Sequence, residues 1–283
     1  MGVIDTLFEM RFAGGLKKAF TMSYDDGVDT DARLIEIMKK HGLYGSFNIN
    51  AGVFAKEGTV YPPEWTRRRM TKSQAVALYK NSGMEIACHG YSHCFLDRLP
   101  VGDCETEILR DRAELEALFD TITTGMAYPN GKTSESVIPA LKAAGIVYCR
   151  TVDSTHDFRI PENFHKLTTT CHHKDEKLFE LCDRFVSDDP KREAEIFSVW
   201  GHSYEFEENG DWDRIEEFAE RISGKKDIWY ATFSDILGYI ADHRKLEFDV
   251  RLEKAHNPTA RDLWLQKGAD IFRVPSGQTV SLK

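Results

Sequence analysis

The sequence predicts an α/β fold in which a parallel sheet is covered by helices. Two observations lead there: from about residue 18 to residue 243 short β-rich runs alternate with longer segments of helical period, and three of those runs end in Asp or His, at the strand C-termini where such sheets carry their ligands. Alternation alone leaves a closed barrel and a doubly wound open sheet both available. A third observation sets the scale. The 283 residues, 41% hydrophobic and 29% charged, suffice for a sizeable core and are too apolar for a disordered chain.

Ala19–Tyr24 reads as the first strand, and DARLIEIMKKH over Asp31–His41 as a helix stopped by Gly42. Gly45–Ile49 is the second strand, Thr71–Asn81 a helix with Thr71 as its N-cap, and Met84–Cys88 the third strand. Asp103–Phe119 carries a long helical period, followed by strand Thr123–Ala127, a helix over Glu135–Ala144 ended by Gly145, and strand Ile146–Thr151. Residues 152–190, with Pro161, Pro190 and mixed polarity, read as a long irregular excursion holding one helix near 176–186. The alternation resumes in strand Ile196–Trp200, helix Trp212–Ser223, strand Asp227–Tyr230 and helix Phe233–His243. After Arg244, short runs at Leu246–Val250, Asp262–Leu265, Ile271–Val274 and Thr279–Leu282, punctuated by Asn257-Pro258 and Pro275-Ser276-Gly277, predict a small antiparallel C-terminal β-strand appendage. The expected division is therefore 1–243 and 244–283, the second part too small to fold alone and packed on the first.

Composition excludes some partners. With 37 basic against 46 acidic residues the net charge is −9, which argues against a nucleic-acid partner that would require a basic surface. No apolar stretch approaches the roughly 20 residues that span a bilayer, and Asp5 and Glu9 stand where a secretory leader would be basic and then apolar, so no membrane partner is expected. Met1-Gly2 with Thr6 matches the short N-myristoylation pattern, one that recurs by chance. Six scattered cysteines without a C-x-x-C pair suit a reducing compartment, with most of them acting as small buried hydrophobes; the expected location is cytoplasmic, and a homo-oligomer is compatible with the composition.

Three strand ends carry chemistry. Ser23-Tyr24-Asp25-Asp26-Gly27 puts two carboxylates after the first strand, although Asp-Gly by itself only makes a turn. Cys88-His89-Gly90-Tyr91-Ser92-His93 offers imidazoles at i and i+4; among ten histidines such a pair has little weight alone and gains it from standing at a strand end. Val199-Trp200-Gly201-His202-Ser203 adds a third histidine past a strand. Together Asp26, His89 and His93 form a two-imidazole, one-carboxylate set suited to zinc or another divalent first-row metal, with an open position that marks a catalytic site. Asp25 is then available as a base and His202 as an acid, which is the equipment of hydrolysis.

On these motifs the chain resembles the NodB-homology polysaccharide deacetylases, metal-dependent carbohydrate esterases built on a distorted (β/α) barrel. The likeness runs from about Lys18 to about Tyr239. Thr21-Met22-Ser23-Tyr24-Asp25-Asp26-Gly27 stands in the place of the family's T-F-D-D-G motif, and Gly83-Met84-Glu85-Ile86-Ala87-Cys88-His89-Gly90-Tyr91-Ser92-His93 in that of G-[HM]-E-I followed by H-[ST]-x-x-H. The resemblance implies Asp25 as base, Asp26, His89 and His93 as metal ligands, and His202, in the late L-x-H motif, as acid. Two departures stand out. Gly90 replaces the small hydroxyl residue, and Ala127-Tyr128-Pro129-Asn130-Gly131 replaces R-x-P-Y, so the motif arginine is missing while the Asn130 main-chain N–H remains an oxyanion donor. Arg150, at the end of the next strand, is the expected substitute beside Asp25. Asp153, with Asp157-Phe158, loosely echoes the D-x-x-D-W motif that orients the acid histidine. Tyr128 and Trp200 are the expected sugar contacts, with Tyr61, Trp65, Tyr91 and Tyr204 as further aromatics able to stack on a ring. His172 and His173 are assigned to substrate contact or a loop wall in preference to the metal.

The implied function is hydrolysis of acetyl groups, on amide or ester, from an acetylated carbohydrate or sugar conjugate. The implied cofactor is a divalent metal, zinc first, with Co, Ni, Mn or Fe as alternatives. Three other readings share these residues: hydrolysis of a non-sugar C–N bond on the same fold, a carbohydrate-binding pseudoenzyme suggested by the missing arginine, and an Fe(II) oxygenase, which would favour a β jelly roll.

Overall fold

A computed structural model describes residues 7–283, so the Met1-Gly2 to Thr6 pattern lies outside the described residues. In chain order the elements are β1 (Glu9–Arg11), β2 (Lys18–Asp25), α1 (Asp31–Lys40), β3 (Gly45–Ile49), α2 (Lys72–Tyr79), β4 (Glu85–Cys88), α3 (Val101–Phe119), β5 (Gly125–Ala127), α4 (Val137–Ala143) and β6 (Tyr148–Ser154). Then follow β7 (Leu167–Thr169), β8 (Cys171–His172), α5 (Leu178–Ser187), β9 (Glu195–Gly201), α6 (Tyr204–Asn209), α7 (Trp212–Ile222), β10 (Ile228–Tyr230) and α8 (Phe233–His243). Five short strands end the chain: β11 (Glu247–Phe248), β12 (Lys254–His256), β13 (Leu263–Lys267), β14 (Asp270–Val274) and β15 (Thr279–Ser281).

The central sheet is parallel throughout, in the order β7-β6-β5-β4-β3-β2-β9-β8, with β10 beside the first half of β2. Its two edges are one stretch of chain. Leu167 and Thr169 pair with Arg150 and Ser154 of β6, and after Thr170 the same stretch pairs Cys171 and His172 with Val199 and Trp200 of β9. The sheet thus closes into a distorted barrel, and residues 152–190 are not the irregular excursion that their composition suggests. The closing strands are short, and their Thr-Thr-Thr-Cys-His-His sequence has no apolar alternation to announce them.

Alternation inside the barrel explains the mixed polarity of the strands. All eight residues of β2 are buried; Phe20, Met22 and Tyr24 join the core under the helices, whereas Ser23 and Asp25 point to the interior and meet Asn48 and Arg150. Toward the strand N-termini, half-buried Glu85 accepts from Tyr148 Oη at 2.8 Å, from the Ser234 N–H at 3.0 Å and from the Ser46 hydroxyl. This gives α8 a carboxylate at its N-terminus. Thr71 caps α2 through a reciprocal bond with Gln74, as its position predicts.

The terminal strands form two antiparallel three-stranded sheets, β1-β13-β14 and β11-β12-β15, around a small core of Phe8, Ala255, Leu265, Val274 and Leu282. The appendage is antiparallel as expected, and it takes in β1 from near the N-terminus. Among the described residues no helix is long and apolar enough to cross a membrane. The cysteines are free, and all but Cys94 are buried.

Candidate active site

The C-terminal ends of β2, β4, β5, β6 and β9 converge. After Asp25 the backbone leaves β2 through two residues of positive φ, Asp26 at 86° and Gly27 at 62°. An aspartate in this region costs about 1–3 kcal/mol, a strain typical of functional turns. It places the two carboxylates in different surroundings. Asp25 is buried, accepts from Asn48 Nδ2 at 2.8 Å, and is held through both oxygens by Arg150 Nη2. Arg150 is itself 1% exposed, donates through Nε to Ser23 Oγ at 3.0 Å, and lies 4.7 Å from the Trp200 ring centroid. Burial alone would raise the Asp25 carboxyl; Arg150, followed by His89 and His202, brings it down to about 2.

Asp26 turns the other way. Its Oδ1 lies 3.5 Å from His93 Nε2 and 3.8 Å from His89 Nε2, and the three ligand atoms all fall within 4.8 Å of one another. His89 Nδ1 meets the Ala127 carbonyl at 2.9 Å, which fixes the proton there and turns the Nε2 lone pair toward Asp26. Burial lowers the His89 pKa to about 4 despite Asp25 and Asp26, so the ring is neutral at pH 7, as a ligand must be. The loop carrying both histidines is pinned from behind. Asp111 on α3 accepts from the N–H groups of Ala51 and His89 at 2.7 and 2.9 Å, and Asn50 Nδ2 donates to the carbonyls of His89 and Gly90. Gly90 has φ +74°, and a Cβ there would come within 2.9 Å of Pro129 Cγ, which is why glycine replaces the hydroxyl residue. This donor set fits a divalent cation. Arg69, which no motif announced, donates to Asp26 Oδ1 at 2.8 Å and to Asn50 Oδ1 at 2.9 Å.

His202 lies between two carboxylates. Its Nε2 is 4.0 Å from Asp25 Oδ2 and its Nδ1 is 3.7 Å from Glu205 Oε2. Burial would lower its pKa, but Glu205 and Asp25 outweigh that and raise it. Glu205 was missed by the sequence reading, although an acid at i+3 past a strand-end histidine was the available signal. His173, 1% exposed, stacks on Tyr24 at 5.6 Å and lies tilted against Phe206 at 4.1 Å, a buried wall, while His172 at its edge is partly open.

Other expected residues fall differently. Asp153 is exposed at the end of β6 and its N–H bonds Thr151 Oγ1, so the carboxylate beside His202 is Glu205 and not Asp153. Tyr128, expected as a sugar contact, is 1% exposed and donates its hydroxyl to the His165 carbonyl at 2.8 Å, so it is core and presents no ring face to solvent. Trp200, 9% exposed, packs edge-on to His172 at 4.5 Å and below Arg150, a wall more than a platform. Asn130 holds φ 58° in the turn beside the histidine loop. Of the aromatics expected to stack on a ring, Trp65 is the most open, 53% exposed and 5.9 Å from Tyr61.

Residues 14–149 match the polysaccharide deacetylase family model. Among solved structures, a putative polysaccharide deacetylase from Mycobacterium smegmatis is similar at 13% identity, over 83% of this chain and 94% of that one, with a TM-score of 0.56. A family 4 carbohydrate esterase from Streptomyces lividans, in complex with acetate, gives 14%, 79%, 96% and 0.51 for the same quantities. The chitin deacetylase from the fungal pathogen Colletotrichum lindemuthianum gives 14%, 81%, 90% and 0.52. At such identities these structures speak for the fold. No curated protein sequence matches the chain. Residues 14–149, just under half of the chain, carry the likeness to the polysaccharide deacetylase family, and the barrel around them is the fold shared with these structures.

Proposed function

We propose that the protein is a metal-dependent deacetylase of an N- or O-acetylated carbohydrate or sugar conjugate, with zinc as the first candidate metal. The observation that carries this reading is the division of labour between adjacent carboxylates: Asp25 bound by Arg150 on one side, Asp26 facing two neutral imidazoles on the other. A divalent cation held by Asp26, His89 and His93 supplies a water acidic near neutrality and polarises the acetyl carbonyl. Asp25, kept ionised by Arg150, takes the proton of the attacking water. The Asn130 N–H, in the turn next to the histidine loop, donates to the developing oxyanion. His202, whose Nε2 faces Asp25, protonates the departing amine or alcohol.

Two alternatives lose their motive. Arg150 fills the place of the missing arginine that suggested a pseudoenzyme, and a parallel barrel is not the jelly roll of an Fe(II) oxygenase. Free, mostly buried cysteines support a cytoplasmic setting, and with it a soluble sugar conjugate as substrate. Residues 244–283 serve in this reading as structural cover for the barrel. The test is metal analysis beside acetate release. Asp25→Asn is expected to keep its metal and lose nearly all turnover, while Asp26→Ala loses the metal; a turning-over Asp25→Asn would reassign the base.

A further inference from the structure

Arg69 stands near the end of the long loop between β3 and α2, and backbone bonds decide where it goes. The Asp29 N–H donates to the Arg68 carbonyl at 2.9 Å and the Met70 N–H to the Gly27 carbonyl at 3.3 Å, so residues 68–70 run as an antiparallel strut beside the turn that leaves β2. The Ala55 N–H, from the start of the same loop, donates to the Met70 carbonyl at 2.9 Å and braces the strut from its other end. The Arg69 side chain, 24% exposed, then reaches both ligand-bearing segments. Its Nη2 donates to Asp26 Oδ1 at 2.8 Å, and its Nη1 donates to the Asp26 carbonyl and, at 2.9 Å, to Asn50 Oδ1. Among the described residues no other group donates a hydrogen bond to the Asp26 carboxylate. Asn50, 1% exposed, spends its amide N–H groups on the carbonyls of His89 and Gly90. An unbroken chain of hydrogen bonds, from Asp26 through Arg69 and Asn50 to the histidine loop, therefore joins the carboxylate to the two imidazoles with no cation in the path.

We propose that Arg69 is a positioning residue for the metal site: its planar fork sets the Asp26 carboxylate in register with His89 and His93 before a cation arrives. The proposal rests on the reading of those three residues as ligands. Two effects of the guanidinium compete. Its charge repels a divalent cation, and its hydrogen bonds remove the freedom of a carboxylate carried on a turn where φ is 86°. The repulsion is the weaker effect, because the guanidinium is paired directly with Asp26 and its open quarter is screened by water and salt. The orientation is not screened. Partners that orient a metal ligand from outside the coordination sphere are worth about 10–100-fold in affinity, and Arg69 orients one ligand directly and the loop of the other two through Asn50. A lysine could not replace it, since one ammonium lacks the rigid pair of arms that holds a carboxylate and an amide oxygen together.

Zinc affinity, measured by competition with a chromophoric chelator, and the visible spectrum of the Co(II)-loaded protein test it, and neither needs turnover. Arg69→Met keeps the stem and removes the fork; it is expected to bind zinc about 10–100-fold more weakly and to change the Co(II) bands, which report the arrangement of the ligands. Arg69→Lys, which keeps the charge, should bind nearly as weakly as Arg69→Met. Asn50→Ala cuts the same chain of bonds, so the double variant with Arg69→Met should lose much less than the product of the two single losses. Unchanged or tighter zinc binding in Arg69→Met overturns the proposal, as does an Arg69→Lys that binds like the wild type, which would leave charge and not the fork as the cause. Losses that multiply fully in the double variant overturn it too. Should Arg69→Met not fold, Arg69→Lys decides by the same criterion. A wild type with no affinity for zinc or Co(II) overturns both the ligand reading and the proposal. One that binds zinc, weakens on Arg69→Met and releases no acetate refutes the deacetylase reading and leaves the positioning in place.

Discussion

Replacing Arg150 by methionine keeps most of the side-chain volume and removes the charge that Asp25 faces. Both partners are almost completely shielded, with side chains 1% and 4% exposed, so the pair is a buried one and its loss is not softened by solvent. Leaving a buried charge unpartnered costs about 3–5 kcal/mol. The pH dependence is more telling than the total. In the wild type Asp25 is brought from 3.8 to about 2, a depressed folded-state pKa; the stability this contributes is present above pH 4 and disappears as the pH falls toward 2. It amounts to about 2 kcal/mol. Without Arg150, burial, the largest influence on this group, pushes the carboxyl up instead, and the sign reverses: the variant recovers as Asp25 takes a proton. Urea unfolding of metal-free protein should therefore give a deficit of about 3–5 kcal/mol at pH 7.5 that narrows by about 2 kcal/mol or more at pH 4. The double variant Asp25→Asn/Arg150→Met should regain most of the stability and no acetate release. A deficit below about 1 kcal/mol, or one that does not change with pH, would refute the view that Arg150 exists to carry Asp25.

Two further expectations follow from backbone and burial. Gly90→Ala should lower stability by about 1–3 kcal/mol, since φ is +74° and Pro129 Cγ lies 2.9 Å from the new Cβ; zinc affinity in a competition titration should fall with it, and an unchanged melting temperature would contradict the packing described. Asp31, buried and bonded to Tyr79 Oη and Ser203 Oγ, has its pKa raised by burial from 3.8 to about 7, so its contribution is full below pH 4 and lost as the pH rises through 7. Asp31→Asn lacks that slope. It should gain on the wild type by up to about 4 kcal/mol between pH 4 and pH 7.5 in urea titrations, and parallel stability curves would count against a neutral Asp31.

Where strands follow the ordinary rules, the sequence made them readable. The runs of β2, β3 and β4 are compact, apolar on the helix side and closed by recognisable turns, so Asp25, Asp26, His89 and His93 could be assigned to strand ends. Arg150 was reached as the end of the next strand; it is instead the third residue of the longer β6, and its long side chain spans the barrel interior to Ser23 and Asp25. The failures have physical causes too. β7 and β8 are short and polar, since their neighbours inside the barrel are polar as well, and α6 is too short for a helical period to show. Tyr128 was misread because an aromatic at a strand end suggests a platform, whereas its hydroxyl is used up on the His165 carbonyl. Asp153 was chosen by motif, and Glu205 was passed over although it stands three residues past a strand-end histidine.

The stretch from Leu167 to His172 is the seam of the barrel, stitched to β6 by its first half and to β9 by its second. Length variation in the chain should respect it. An extra residue in the turn before Leu167 adds slack, whereas one placed between Thr169 and His172 exchanges the inward and outward side chains of the second half, opens the ring and drags His172 and His173 off Glu205 in one step. The seam thus ties the closure of the container to the placement of two buried or half-buried imidazoles.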